Sequence, residues 1–207
     1  MKPFECEYAR KMDGFLAKNG LGDQANPIAV FHAVRRVPYG SRGGRSPEEV
    51  LQQNEGSCSG KHILLRDLLR HLKQSADIET VQGDFAAALS AHPSMPADLQ
   101  KYCKVGGVVD FHHYVVWESS DGAKKLDATW PDNVIAMGIS GNENWIGEGD
   151  TRLALVPEKS LGFTENVPEL KEQLLDSLSA DEREYRAKFL TLLTDWVAAI
   201  DCGGEAK

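Results

Sequence analysis

The chain has 207 residues, 42% of them hydrophobic, and its 31 acidic against 23 basic side chains give a formal charge of −8. That length fits one domain, residues 1–207, with a substantial core rather than two. The acidic balance excludes the dense basic footprint that a nucleic-acid backbone requires, and no apolar run is long enough to cross a bilayer.

The opening MKPFECEYARKMDGF lacks the apolar stretch of a signal peptide. Cys6, Cys58, Cys103 and Cys202 are too few and too irregular for a disulfide framework. Free thiols in a cytoplasmic protein are therefore expected. Residues 2–18 carry Phe4, Tyr8, Met12 and Phe15 at helical spacing and stop at Asn19-Gly20. A second helix is expected over 27–37, with Ile28, Phe31 and Val34 on one face. The glycine-rich basic stretch RRVPYGSRGGR reads as a loop over 38–45. Ser46-Pro47-Glu48-Glu49 then offers an N-cap, a proline at the first helical position and two acids for a short helix to Gln53.

From Cys58 onward, Ile63, Leu64, Leu65, Leu68, Leu69 and Leu72 form a broad apolar face, predicting a central helix. Strands are predicted over 78–85, 108–118 and 123–130, with SSDG turning the last two into a hairpin. Helices followed by antiparallel strands imply an α+β fold. Residues 131–149 read as a long polar loop with an exposed Trp145. Residues 165–200 read as a C-terminal helical segment, with helices over 167–177 and 181–200, and 203–207 as a disordered tail.

Cys58 stands between small residues where the central helix begins. Free N–H groups and the positive end of the helix dipole there stabilise thiolate over thiol, and the same N–H groups can hold an oxyanion. Gly56 and Ser57 leave room for a substrate. A nucleophilic thiolate also needs a base and an acid that orients it. The strand DFHHYVVW supplies His112 and His113, which point to opposite faces, and KKLDATW supplies Asp127. Hairpin pairing would bring Asp127 beside one of the histidines.

In their order, GSCSGKHILLRDLLRHL, DFHHYVVW and KKLDATWP resemble the transglutaminase-like superfamily over residues 46–131. The resemblance implies a papain-like catalytic core in which the central helix packs on an antiparallel sheet, with flanking helices at both ends. It assigns Cys58 as nucleophile, Asp127 as orienting acid and His112 as base, with His113 as the alternative. It also implies a second oxyanion donor besides a backbone N–H, for which Gln52, Gln53 and Asn54 lie upstream. Neither a cofactor nor a metal is implied.

The activity expected from the resemblance is cysteine-dependent acyl chemistry on a peptide, amide or thioester donor, with water or an amine as acceptor. Two other readings compete. One is a binding or scaffold module that keeps the fold. The other is a zinc site built on Cys58 and His62, which share a helical face but lack a second close pair. His32, His71, His92, Trp117, Trp130 and Trp196 read as structural residues, and Cys6, Cys103 and Cys202 have no evident partner.

Overall fold

The computed structural model describes residues 3–22, 25–41, 46–142 and 144–201; Cys202, the tail 203–207, the Cys6 side chain and part of the loop at 38–45 lie outside them. Four helices come first: α1 (Pro3–Lys18), α2 (Pro27–Arg35), α3 (Pro47–Gln53) and α4 (Cys58–His71). Then follow β1 (Ala76–Asp84), α5 (Ala97–Val105), β2 (Val109–Ser119) and β3 (Gly122–Leu126). The chain ends with α6 (Asp132–Ala136), β4 (Val156–Phe163), α7 (Val167–Asp176) and α8 (Ala180–Asp201). The architecture is α+β, with one antiparallel sheet in the order β3-β2-β1-β4. No helix among the described residues is long and apolar enough to cross a membrane.

Local chemistry fixes the helix starts. Ser46 Oγ accepts from the Glu49 N–H while the Glu49 carboxylate accepts from the Ser46 N–H, a reciprocal cap for α3. Ser57 accepts from the Gly60 N–H and so begins α4 at Cys58.

The sheet separates two apolar clusters. Leu64, Leu65, Leu68 and Leu69 of α4 pack with Ile78, Val115, Trp117 and Leu126 and with Phe31 and Val34 of α2. Val81, Phe85 and Tyr114 pack with Phe189, Leu193 and Trp196 of α8. Each fully buried leucine contributes roughly 1.5–3 kcal/mol. Trp117, Trp130 and Trp196 are all buried. Trp145, expected at the surface, is buried as well: its ring packs edge-on to Phe31 at 5.0 Å and its Nε1–H donates to the carbonyls of Glu148 and Gly149. The polar composition of 131–149 hid this anchor because backbone carbonyls of the same segment satisfy the indole.

At the sheet margins, β4 is mostly exposed and its pairing with β1 shifts register twice, between Thr80 and Val81 and between Gln82 and Gly83. A Cβ at Gly83 would lie 2.0 Å from the Val156 carbonyl oxygen, so the close approach of β4 requires glycine there. Beside β3, Lys125 donates its N–H to Asp150 and accepts from the Thr151 N–H.

Lys61, fully buried, ties the elements around the start of α4 together. Its Nζ donates to the carbonyls of Arg35 (3.1 Å), Val37 (2.6 Å) and Thr129 (2.9 Å). Lys61→Met keeps the stem and leaves those carbonyls without their donor. We expect it to lower the unfolding free energy by about 3 kcal/mol in urea titration. A loss below about 1 kcal/mol would show that the carbonyls find other donors.

Candidate active site

The chain that leads into Cys58 is pinned by a short parallel bridge. Gly56 N–H donates to the Pro38 carbonyl (3.0 Å) and Gly40 N–H to the Gly56 carbonyl (3.1 Å). A Cβ at Gly56 would meet Val50 Cγ2 at 2.6 Å. Its small size therefore serves packing against α3, not the substrate approach expected of it. The bridge sets Tyr39 beside Cys58, and both line a pocket of about 230 Å³ together with Asp110, Lys171 and Arg186. Cys58 is 6% exposed. As the first helical residue it keeps an N–H with no helical partner, as does Ser59.

The strand expected over 123–130 stops at Leu126, and β3 pairs with β2 only over Val115–Ser119. Asp127 falls just past that end, beside the part of β2 that β3 leaves uncovered. There His112 Nε2–H donates to Asp127 Oδ2 at 2.6 Å. Asp127 also accepts from the backbone N–H groups of Thr129 (2.9 Å) and Ala154 (2.7 Å). With Nε2 committed to the acid, Nδ1 is the ring nitrogen left for the Cys58 thiol, and thiol and imidazole shift one another's titration.

The electrostatics favour an ion pair. Burial alone would lower the His112 pKa, but the Asp127 carboxylate and the Cys58 sulfur outweigh it and push it up to about 10. Burial alone would raise the Cys58 thiol; the hydrogen bond and charge of His112, joined by Lys171, bring it below its ordinary value. For Asp127 too burial is opposed and overcome: the charge and hydrogen bond of His112 hold the carboxyl well below the usual carboxylate range. At neutral pH His112 therefore stands as imidazolium and Asp127 as carboxylate, and both His112 and Lys171 bias Cys58 toward thiolate.

The two neighbouring histidines are placed differently. His113 shares the face of Val115 and Trp117, its Nδ1 pairs with Thr80 Oγ1 at 2.9 Å, and burial holds it neutral with a pKa well below the ordinary value. It faces the body of α4, whereas His112 meets the start of that helix. Alternation along the strand separates the two side chains but does not say where along its length the helix begins.

From sequence, His62 offers itself only as a zinc ligand beside Cys58. Its Nδ1–H donates to the Cys58 carbonyl (2.7 Å) and its Nε2 accepts from the Ala128 N–H (2.8 Å), which fixes one neutral tautomer. Burial lowers its pKa accordingly. The ring ties the residue after Asp127 to the helix start and so helps set the distance between acid and nucleophile. His62, His112 and Asp127 offer donor atoms all within 4.8 Å of one another, a set that does not include Cys58. Both ring nitrogens of His62 and the Nε2 of His112 are already hydrogen-bonded. A metal would have to displace the Ala128 N–H and break the His112–Asp127 contact, so these residues fit a hydrogen-bonded relay better than a coordination shell.

Gln52 and Asn54 line a different pocket, against α1, and Gln53 is exposed, so none of these expected donors stands at Cys58. Tyr39 occupies that position. Burial raises its pKa well above the ordinary value, with the Cys58 and Asp110 charges adding to it, so the phenol stays an O–H donor. Nothing in the glycine-rich loop marked it except an aromatic ring among small residues. Asp110, Lys171 and Arg186 were missed too, the last two because charged positions on amphipathic helices read as solvated. No family model, no curated protein and no solved structure matches the chain.

Proposed function

We propose that the protein is a transglutaminase-like cysteine enzyme, acting in the cytoplasm on an amide or thioester carbonyl. One observation carries this reading: a cysteine opens the central helix and is electrostatically coupled to His112, whose Nε2 donates to Asp127 at 2.6 Å. In the first step Cys58 Sγ forms a bond to the carbonyl carbon and the C=O electron pair moves onto oxygen. The N–H groups of Cys58 and Ser59 and the Tyr39 hydroxyl would hold that oxyanion. The oxyanion collapses, the bond to the leaving group breaks, and His112 Nδ1 gives its proton to the departing amine or thiol. In the second step neutral His112 takes a proton from water or an amine as that acceptor attacks the thioester, and Cys58 leaves as thiolate. Water gives an acid; an amine gives a new amide.

The test uses p-nitrophenyl acetate as an activated acyl donor. We expect a mass increase of one acetyl group on the Cys58 peptide in the wild type and none in Cys58→Ala. Glycine ethyl ester should speed release and yield the N-acetyl amide if amines are acceptors, and only acetate should form if water is. Absence of an acetylated Cys58 in the wild type would overturn the proposal.

A further inference from the structure

The pocket that Cys58 opens into has an unusual wall. Asp110, buried in β2, accepts on one oxygen from Lys171 Nζ of α7 (2.7 Å), from Arg186 Nε of α8 (2.9 Å) and from the Phe111 N–H (2.7 Å). Lys171 Nζ also donates to the Phe111 carbonyl. These contacts hold the Asp110 carboxyl far below its usual range, against burial and through the charges of Lys171 and Arg186. Two cations thus face one carboxylate. Arg186 spends only its Nε on Asp110: neither terminal Nη donates to a described residue, although its side chain is only 13% exposed. A guanidinium fork oriented through Nε and left open at its other end matches the two oxygens of a carboxylate.

We infer that Arg186 binds a carboxylate of the acyl donor, so that the substrate class is an amide or thioester carrying a carboxylate a few atoms from the reacting carbonyl. This rests on Cys58 being the nucleophile. Asp110 then acts as the brace that aims the fork, and Lys171 balances the brace while favouring the thiolate. Arg186 thereby selects the donor and leaves the acceptor open. The pocket of about 230 Å³ has room for a short acyl chain with its charged end.

Iodoacetate and iodoacetamide test this without knowledge of the substrate. Both form an S–C bond with the thiolate and release iodide, and they differ only by a carboxylate against a carboxamide. The rate ratio of the two at Cys58, compared with that of N-acetylcysteine, cancels the thiolate population. We expect the ratio to exceed the reference at least about tenfold, and to fall to within about twofold of it in Arg186→Gln with Arg186→Lys between. Succinate should protect Cys58 from iodoacetamide better than inorganic phosphate does. Brisk alkylation with the same ratio in wild type and Arg186→Gln would overturn the carboxylate site alone, as would protection by phosphate and not succinate. Alkylation at pH 6 no faster than that of N-acetylcysteine with either reagent would overturn the nucleophile itself, and this inference with it.

Discussion

Alkylation of Cys58 by iodoacetamide at pH 6 should slow by about a hundredfold or more in His112→Ala and by less than about threefold in His113→Ala. Burial raises the thiol pKa, and what reverses this is chiefly the hydrogen bond and charge of His112. Without the imidazolium the largest influences that oppose burial are gone, and the thiolate becomes scarce at pH 6. His113 is neutral and turned toward Thr80, so its loss leaves the thiolate's partner in place. Rates of labelling, read by mass on the Cys58 peptide across pH, provide the measurement. In the wild type the acid limb should lie below that of an ordinary thiol, since the folded Cys58 pKa is lowered. Acyl transfer needs the proton on His112 as well and should decline as the pH passes about 10. Equal slowing in both variants would show that neither histidine is the specific partner.

Asp127→Asn should reduce acyl transfer by about a thousandfold or more and lower the unfolding free energy by about 3 kcal/mol. Three donors bond to this carboxylate, on both of its oxygens: His112 Nε2–H and the N–H groups of Thr129 and Ala154. An amide must turn its own NH₂ against one of them, and it cannot hold the imidazolium. The pH dependence of stability tests the same geometry most simply in Cys58→Ala, where His112 and Asp127 remain as a pair. Asp127 has a depressed folded pKa, so its contribution is present above the unfolded value of about 3.9 and is lost as pH falls through the folded one. His112 has a raised folded pKa, so its contribution is complete below about 6.5 and is lost as pH rises through the folded value. Urea titrations of Cys58→Ala should therefore show stability falling as pH rises above about 6.5, over a range that lies below the wild-type value of about 10 because the sulfur no longer raises His112. The alkaline fall should disappear in Cys58→Ala/Asp127→Asn, where burial of His112 is no longer opposed by a carboxylate. A fall that persists in the double variant would assign it to another group.

What the sequence made legible was whatever a single element determines. The capped start of α4 at Cys58 and its leucine face follow from neighbours a few residues away, and so does the hairpin at Ser119 and Gly122. Residues whose role depends on distant chain were harder. Strand β4 carries Pro157, Glu158 and Lys159 on an exposed edge, so it has no alternating apolar face to betray it. Helix α5 buries only Leu99 fully, and its stripe of Leu99, Tyr102 and Cys103 spans little more than one turn. Asp127 was found by its surroundings in sequence, yet its placement depends on β3 ending early. Lys171 and Arg186 become part of a pocket wall only because α7 and α8 fold back onto Asp110, which no local spacing records. Asp110 itself did leave a signal, an acid within an apolar strand, where a buried partner is the usual requirement.

The two margins of the sheet bear on the protein's behaviour at high concentration. Pro157 has no N–H to offer an incoming strand, Glu158 and Lys159 keep the β4 margin charged, and its two register shifts interrupt any regular row of donors and acceptors. On the opposite side, Asp150 and Thr151 already take the Lys125 N–H and carbonyl. Both margins thus oppose simple strand addition by another copy, and native molecules crowded together meet one another through charged or already occupied edges.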